Sequence, residues 1–281
     1  RKVEVGAYRY KLAFTTLACP NWSWDMIVDR AAEYGYEGIE PRGVEGEMDL
    51  TKARPFIREN LSNTKNQLKE HGLEIPCLDT SARFDDPETI DRNIEEARRH
   101  IDLAAELDAP YIRVFGDRIP SPELAPKTIA QVAEALNKLG EYTQGIPVMI
   151  LIETHGDFSK TDYMVELLSQ IQSQSIGVLW DIHHPYRFQG ETLESTFNRI
   201  SKYIRHTHVK DSVMTENGPT YCPVGQGDLP LRSALELLRD HNYSGWISFE
   251  WEKRWHPEIE EPDVVLPHFV QVIHEIENSL G

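Results

Sequence analysis

The sequence predicts a single (β/α)8 TIM barrel, and three observations lead to that prediction. Eight short apolar runs alternate with amphipathic stretches of helical spacing along the 281 residues, which is the strand and helix count of such a barrel. No linker, low-complexity segment or charge block interrupts the series, so we expect one domain over residues 1–281. The loop after the first run, TTLACPNW, lacks the glycine-rich phosphate turn expected of a doubly wound open sheet, which disfavours the main alternative.

The predicted elements follow one another in strict alternation. The apolar runs predict strands at 11–16, 38–42, 74–80, 111–116, 148–155, 176–184, 204–211 and 246–252. The amphipathic stretches predict helices at 24–35, 54–72, 89–108, 128–143, 161–172, 192–203, 231–242 and 263–279. Glycines in YGYEG, EHGLE and NYSG indicate left-handed residues at helix ends, and prolines in DDPETI and SPEL indicate helix starts.

The charge and cysteine content narrow the classes of partner and compartment. With 46 acidic and 29 basic residues the net charge is −17, so we expect neither nucleic acid nor an anionic membrane as a partner. The three cysteines, Cys19, Cys77 and Cys222, are far apart and form no CxxC pair. This spacing favours reduced thiols and a cytoplasmic protein.

Ionisable residues end four consecutive predicted strands in the second half of the chain. Because side chains alternate along a strand and the carboxyl ends form the active-site face of a barrel, the following four residues can share one site: Glu153, Asp181, His208 and Glu250. Three carboxylates in a low-dielectric mouth repel one another, and a divalent cation removes that repulsion. The oxygen-rich donor set suits Mn²⁺, Mg²⁺ or Co²⁺, and Zn²⁺ is also compatible with it.

The neighbours of these residues have less specific interpretations. His206 shares a strand face with His208 one layer deeper, so we expect it to support the site from the core. Asp211 and Glu252 follow the strand ends, where we expect them to be solvated or paired with Lys210 or Lys253.

The segments LIETHG, WDIHH, HTHVKD and VGQGDLPLRSALELLRDHNYSGWISFEWE resemble the xylose-isomerase-like barrel superfamily, in particular its sugar phosphate isomerase/epimerase family. The resemblance implies one divalent metal ion per chain, bound by the four strand-end residues named above. It also implies that Glu153 and Glu250 are the acid–base pair, and that His184 contacts substrate or metal-bound water. Since dimers and tetramers are common in that family, it further implies that the chain can form a homo-oligomer.

Four further residues are candidates for substrate binding. Glu40 lies in the GIE segment that matches the family's second strand, and Arg113 lies near the end of the fourth strand. Arg113 and Lys210 either touch the substrate or pair with a neighbouring carboxylate. Trp251 belongs to a set of rim tryptophans expected to stack on sugar C–H faces, the others being Trp22, Trp24 and Trp255.

These residues predict a metal-dependent sugar isomerase or epimerase acting on a small polyhydroxylated carbonyl compound. In this chemistry one carboxylate removes a proton beside the carbonyl, the metal stabilises the enediolate, and another carboxylate returns a proton. The first rival is a dehydratase of the inosose or dehydroshikimate type, which eliminates water from the same enediolate. A non-catalytic sugar-binding barrel would lack an acid–base residue, and an abasic-site endonuclease would need first-half histidines and a basic surface.

Overall fold

The computed structural model of this chain describes residues 8–280, so residues 1–7 and 281 of the one-domain prediction lie outside the described part. Eight parallel strands form one sheet that curves into a barrel, and two more form a separate antiparallel hairpin. In chain order the strands are β1 (Lys11–Thr15), β2 (Gly38–Glu40), β3 (Cys77–Arg83), β4 (Tyr111–Phe115), β5 (Met149–Glu153), β6 (Ile176–Asp181), β7 (Ile204–Val209), β8 (Asp211–Thr215), β9 (Gly218–Cys222) and β10 (Trp246–Phe249). The hairpin is β8–β9, and each of the other eight overlaps one predicted strand. The (β/α)8 prediction is therefore confirmed.

The strand order brings all carboxyl ends to one rim. The sheet runs β2-β1-β10-β7-β6-β5-β4-β3 with every neighbouring pair parallel. The two outer strands meet through the segment before β3, where the Ile39 N–H donates to the Glu74 carbonyl at 3.0 Å and the Glu74 N–H donates to the Glu37 carbonyl at 2.9 Å. The mouth of the barrel is therefore the one place where the ends of all eight strands can cooperate.

The helices pack around this barrel. They are α1 (Trp24–Glu33), α2 (Leu61–Glu70), α3 (Ile90–Glu106), α4 (Ala125–Tyr142), α5 (Thr161–Ser169), α6 (His183–Gln189), α7 (Leu193–Ile200), α8 (Leu231–Asp240) and α9 (Pro262–Ser279). Their apolar stripes face the strands, as in α3, where Ile94, Ala97, Ile101 and Ala104 are buried at three- and four-residue spacing. None of the helices in the described part of the chain has the length and apolar character needed to cross a membrane.

Local chemistry sets the helix ends. The side chains of Ser23 and Thr192 accept backbone N–H groups at the starts of α1 and α7. Gly35 and Gly72 have φ values of 86° and 66° after α1 and α2, as the sequence predicts. After α8 the left-handed residue is Asn242, with φ 56°, and not the glycine of NYSG. Asparagine tolerates this conformation better than most non-glycine residues.

Three elements differ from the predictions. Helix α2 begins at Leu61, because residues 54–56 form a separate short 3₁₀ turn around Pro55. The sequence does not predict helix α6 or the β8–β9 hairpin, because their first residues lie within the predicted strands 176–184 and 204–211. Both elements begin at the rim, so the strands are shorter and the site is more enclosed than the sequence indicates.

Candidate active site and metal centre

Four side chains converge at the mouth from β5, β6, β7 and the residue after β10. Glu153, Asp181, His208 and Glu250 are each at most 4% exposed, and one ligand atom from each lies within 4.8 Å of the others. Strand register explains the convergence, because Asp181 pairs with His208 across β6 and β7, and His208 pairs with Ser248, two residues before Glu250. The four residues predicted to share one site therefore do so.

His208 lies at the centre of this cluster with a carboxylate at each ring nitrogen. Its Nδ1 lies 2.6 Å from Glu153 Oε1 and 2.9 Å from Glu250 Oε2, and its Nε2 contacts Glu40. Burial alone lowers the pKa of His208, but the charges of Glu250, Glu40 and Glu153 outweigh it and raise the pKa well above the ordinary value. The Nδ1 side of the ring therefore faces the group of ligand atoms, and the Nε2 side faces the barrel interior.

Glu40 lies beneath His208 and is fully buried. One of its carboxylate oxygens contacts His208 Nε2 and the other contacts His206 Nε2. A carboxylate on the far nitrogen of a metal-binding histidine holds the ring orientation and tautomer. Glu40 is thus placed to orient two imidazoles, whereas the sequence predicted contact with substrate. His206 lies in the core one layer deeper than His208, as predicted.

Lys210 is a fully buried ammonium group within the cluster. Its Nζ contacts both Asp181 Oδ2 and Glu250 Oε1, and lies 3.5 Å from Glu252 Oε1. Burial lowers the pKa of Lys210, but these three carboxylates raise it well above the ordinary value, so the group is charged. Of the two predicted roles, the structure shows the pairing with neighbouring acids.

Arg113 supplies the second buried cation, on the opposite carboxylate. Its Nη1 donates to Glu153 Oε2 at 3.4 Å, its Nη2 donates to the Thr80 carbonyl at 3.1 Å, and its guanidinium lies 4.0 Å from the Phe115 ring centroid. Each predicted acid–base residue therefore has a cation of its own: Arg113 for Glu153 and Lys210 for Glu250. Burial opposes ionisation of both carboxyls, but these cations and His208 lower the pKa of each.

Asp181 links the site to α6. Its Oδ1 accepts the backbone N–H groups of His183 and His184, at 2.9 and 3.3 Å, which starts the helix directly after the strand. His184 Nε2 lies 3.3 Å from Asp181 Oδ2 and the residue is 5% exposed, which places the ring beside the candidate ligand atoms. Burial and Lys210 lower the pKa of His184 well below its ordinary value, so the ring is neutral.

Asp211 anchors the loop that follows the hairpin and does not pair with a lysine. Its carboxylate accepts the backbone N–H groups of Gly225, Gly227 and Leu229 at 2.9 to 3.2 Å. A Cβ at Gly227 would come within 2.0 Å of Asp211 Oδ1, so this position requires glycine. The prediction that Asp211 is solvated or paired with a lysine is wrong, because its buried carboxylate accepts the backbone N–H groups of this turn.

The structure separates the predicted rim tryptophans. Trp251 is fully buried, and its indole N–H donates to the Glu260 carbonyl at 2.9 Å. Trp24 packs edge-on against Phe56 in the core, and Trp22 is 9% exposed. Only Trp255 of the four is well exposed, at 50%. The structure therefore does not bring Trp251 to a surface where a sugar could stack.

The four converging residues fit a divalent metal ion. Their donor set is three carboxylates and one imidazole, all buried and close enough for a single ion to reach. Glu40 contacts Nε2 of His208, the nitrogen that faces away from the candidate ligand atoms, and this completes the arrangement that metal-binding histidines usually have.

Asp79 is not among the predicted site residues, although it lies near the end of the predicted strand 74–80. It is fully buried, with Oδ2 3.8 Å from His208 Nε2.

Sequence comparison identifies the family. Residues 28–266 match the family described as xylose isomerase-like TIM barrel. Fructoselysine 3-epimerase of Shigella flexneri is 26% identical over 157 residues, which cover 53% of this chain and 55% of that protein, so the match spans about half of the epimerase. Inosose dehydratase of Mesomycoplasma hyopneumoniae strain J is 24% identical over 266 residues, with 82% of each chain covered.

Solved structures share the fold. The IOLI protein with a bound zinc atom superposes with a TM-score of 0.79 at 16% identity, covering 96% of this chain and 99% of that one. A xylose isomerase-like TIM barrel protein from Mycobacterium smegmatis in complex with magnesium gives a TM-score of 0.75 at 16% identity, covering 96% and 97%. At these identities the likeness establishes the architecture.

Proposed function

This chain belongs to the xylose isomerase-like TIM barrel family, and we propose that it is a divalent-metal-dependent sugar epimerase or isomerase. The observation that carries the proposal is the paired arrangement of Glu153 and Glu250. Each has one oxygen within 2.9 Å of His208 Nδ1 and the other on its own buried cation. Two carboxyl groups at one site are what a reaction needs when the ionised one removes a proton and the protonated one returns another.

Each residue of the site has a distinct role in the proposed reaction. The metal would be held by Glu153, Asp181, His208 and Glu250, and when bound it supplies a positive charge that polarises a substrate carbonyl. Glu153 in its ionised form removes a proton from the carbon beside that carbonyl, and Glu250 in its protonated form delivers one to the opposite face, so the two groups exchange protonation states in each turnover. Arg113 and Lys210 balance the charges of these two carboxylates as each changes protonation. Burial of all these groups excludes water from the reacting carbon.

A dehydratase is the second candidate. The match to inosose dehydratase extends over 82% of both chains, a longer match than that to fructoselysine 3-epimerase. Proton removal by the same carboxylate begins both reactions, and in the dehydratase the Lys210 ammonium beside Glu250 would be the acid that protonates the departing hydroxyl group.

The first experiment measures metal content by elemental analysis of the purified protein, together with a Glu153→Gln/Glu250→Gln double variant. We expect about one divalent ion per chain, lost or weakened in the double variant and retained in Glu141→Gln, a control on the exposed side of α4. Protein without metal that takes up none when Mn²⁺, Co²⁺, Mg²⁺ or Zn²⁺ is supplied would overturn both candidates.

The second experiment incubates ketoses and keto-inositols with the metal-loaded protein in D₂O. Deuterium incorporation at the carbon beside the carbonyl, without loss of water, supports the epimerase or isomerase. A product 18 mass units lighter supports the dehydratase. Neither change, in a protein shown to bind metal, would overturn the catalytic proposal.

A further inference from the structure

Arg42 is a buried arginine with no acidic partner. It follows β2 by two residues, at the mouth of the barrel, and is 9% exposed. Its Nη1 donates to Ser81 Oγ at 2.9 Å, and within residues 8–280 no carboxylate oxygen lies within 4.0 Å of its guanidinium nitrogens. A buried charge without a counter-charge is costly, so a protein that keeps one at an active-site rim has a use for it.

Charged groups near Arg42 shift its pKa in both directions. Burial lowers its pKa to about 10, and the nearby Arg113 acts in the same direction, while Asp79, Glu250 and Glu96 oppose them. The group remains a cation at neutral pH. The same charges place Arg42 close to the catalytic cluster, on the side contributed by β2 and β3.

Arg42 and a second arginine, Arg254, line the same small cavity. Its volume is about 10 Å³, which has room for one water-sized group. The Nε of Arg254 is buried without a hydrogen-bond acceptor in the described part of the chain. Glu45 also lines the cavity, but both its oxygens are held by Arg54 at 2.8 and 2.9 Å, so its charge is already matched.

We propose that Arg42 and Arg254 bind an anionic group of the substrate, so that the enzyme acts on an acidic sugar derivative and not on a neutral sugar. The group is a carboxylate or a phosphate, since both present oxygens to guanidinium forks. The claim that the bound anion belongs to a substrate rests on the proposed function, whereas anion binding by Arg42 and Arg254 does not.

The decisive test therefore needs no metal and no turnover. Protein freed of metal by a chelator is titrated calorimetrically with inorganic phosphate and, separately, with acetate. We expect saturable binding of at least one anion, weakened about tenfold or more in Arg42→Gln and in Arg254→Gln. Binding of acetate identifies a carboxylate site, and binding of phosphate alone identifies a phosphate site. Arg254 is partly exposed, so its variant tests the site even if Arg42→Gln folds poorly.

Arg83→Gln is the matched control. Arg83 ends β3 on the same rim, but its guanidinium is paired with Asp117 at 3.2 Å. We expect anion binding by this variant to equal that of the wild type. No binding of either anion, or equal loss in Arg83→Gln, would overturn the proposal.

A second arm links the site to the reaction. Metal-loaded protein is assayed for deuterium exchange with D-fructose, D-fructuronate and D-fructose 6-phosphate. We expect kcat/KM for one of the acidic compounds to exceed that for fructose by about tenfold, and Arg42→Gln to remove the preference mainly through KM. Exchange with fructose at the highest kcat/KM counts against the anion proposal. Exchange with none of the three counts against the proposed function, and the titration then decides the anion site on its own.

Discussion

The two halves of the barrel contribute different things to the mouth. Strands β5, β6, β7 and β10 each have a residue of the candidate metal set at or next to their carboxyl end. The first four strands contribute none of that set, but their polar residues touch it or neighbour it, the main ones being Glu40, Asp79, Arg113 and Arg42. The candidate metal ligands therefore all come from one half. The other half orients His208 through Glu40 and supplies Arg113 as the counter-charge of Glu153, whereas Lys210, the counter-charge of Glu250, comes from the same half as the ligands.

The largest expected effect comes from the carboxylates of the second half. Glu153→Gln and Glu250→Gln keep the shape of the side chain but remove the base and the acid, respectively, so each should lower kcat by about 10²- to 10⁴-fold. Steady-state kinetics on the substrate found by deuterium exchange provides the measurement. Glu141→Gln should leave kcat unchanged. Full activity in either site variant would show that proton transfer is carried by another residue.

Removal of the buried ammonium group of Lys210 should lower the free energy of unfolding. Lys210→Met removes the ammonium group that Asp181 and Glu250 both contact, and breaking a buried pair in this way costs about 3–5 kcal/mol in the free energy of unfolding. We expect added Mn²⁺ to recover much of that loss, because the metal restores a positive charge.

Urea unfolding with chelator and with metal measures both quantities. The control is Lys138→Met, which removes an exposed partner of Glu134 on α4 and should change stability by less than about 0.5 kcal/mol. Equal destabilisation of Lys210→Met with and without metal would contradict the assignment of its carboxylate partners as ligands.

Glu40→Gln tests whether a residue from the first four strands affects metal binding through its contact with His208. If Glu40 orients His208, the dissociation constant for metal should rise by about 10- to 100-fold while the fold is retained. Calorimetric titration of the metal-free protein measures this, with Glu74→Gln, in an exposed pair with Lys11, as the control. Unchanged metal affinity with a raised KM would instead favour the direct substrate contact that the sequence predicted.

The smallest effects are expected at two tryptophans of one loop, Trp251 and Trp255. Trp251→Phe should lower the free energy of unfolding by about 1–2 kcal/mol, since it removes a buried hydrogen bond and core volume, and should leave KM unchanged. Trp255→Ala should change stability by less than about 0.5 kcal/mol, because its ring is half exposed. Thermal unfolding and kinetics on the same pair distinguish them. A raised KM in Trp251→Phe would return that residue to the substrate surface.

Much of the fold and of the candidate metal set could be predicted because both depend on short-range pattern. Alternating apolar runs and amphipathic stretches specify parallel strands and covering helices, and parallel strands place their carboxyl ends on one rim. An ionisable residue at such an end is visible in the sequence, as with Glu153 and Asp181. Metal binding and the reaction itself stay predictions.

The sequence by itself therefore determined the barrel, the order of its strands and the four residues that meet at its mouth. Only the tertiary structure decided what each of those residues touches. The pairing of Arg113 with Glu153 joins residues 40 apart, and the contact of Glu40 with His208 joins residues 168 apart. Contacts at that separation depend on how the sheet closes and on rotamers within the core, which no local pattern encodes. For the same reason the burial of Trp251 and the unpaired charge of Arg42 became visible only in the folded chain.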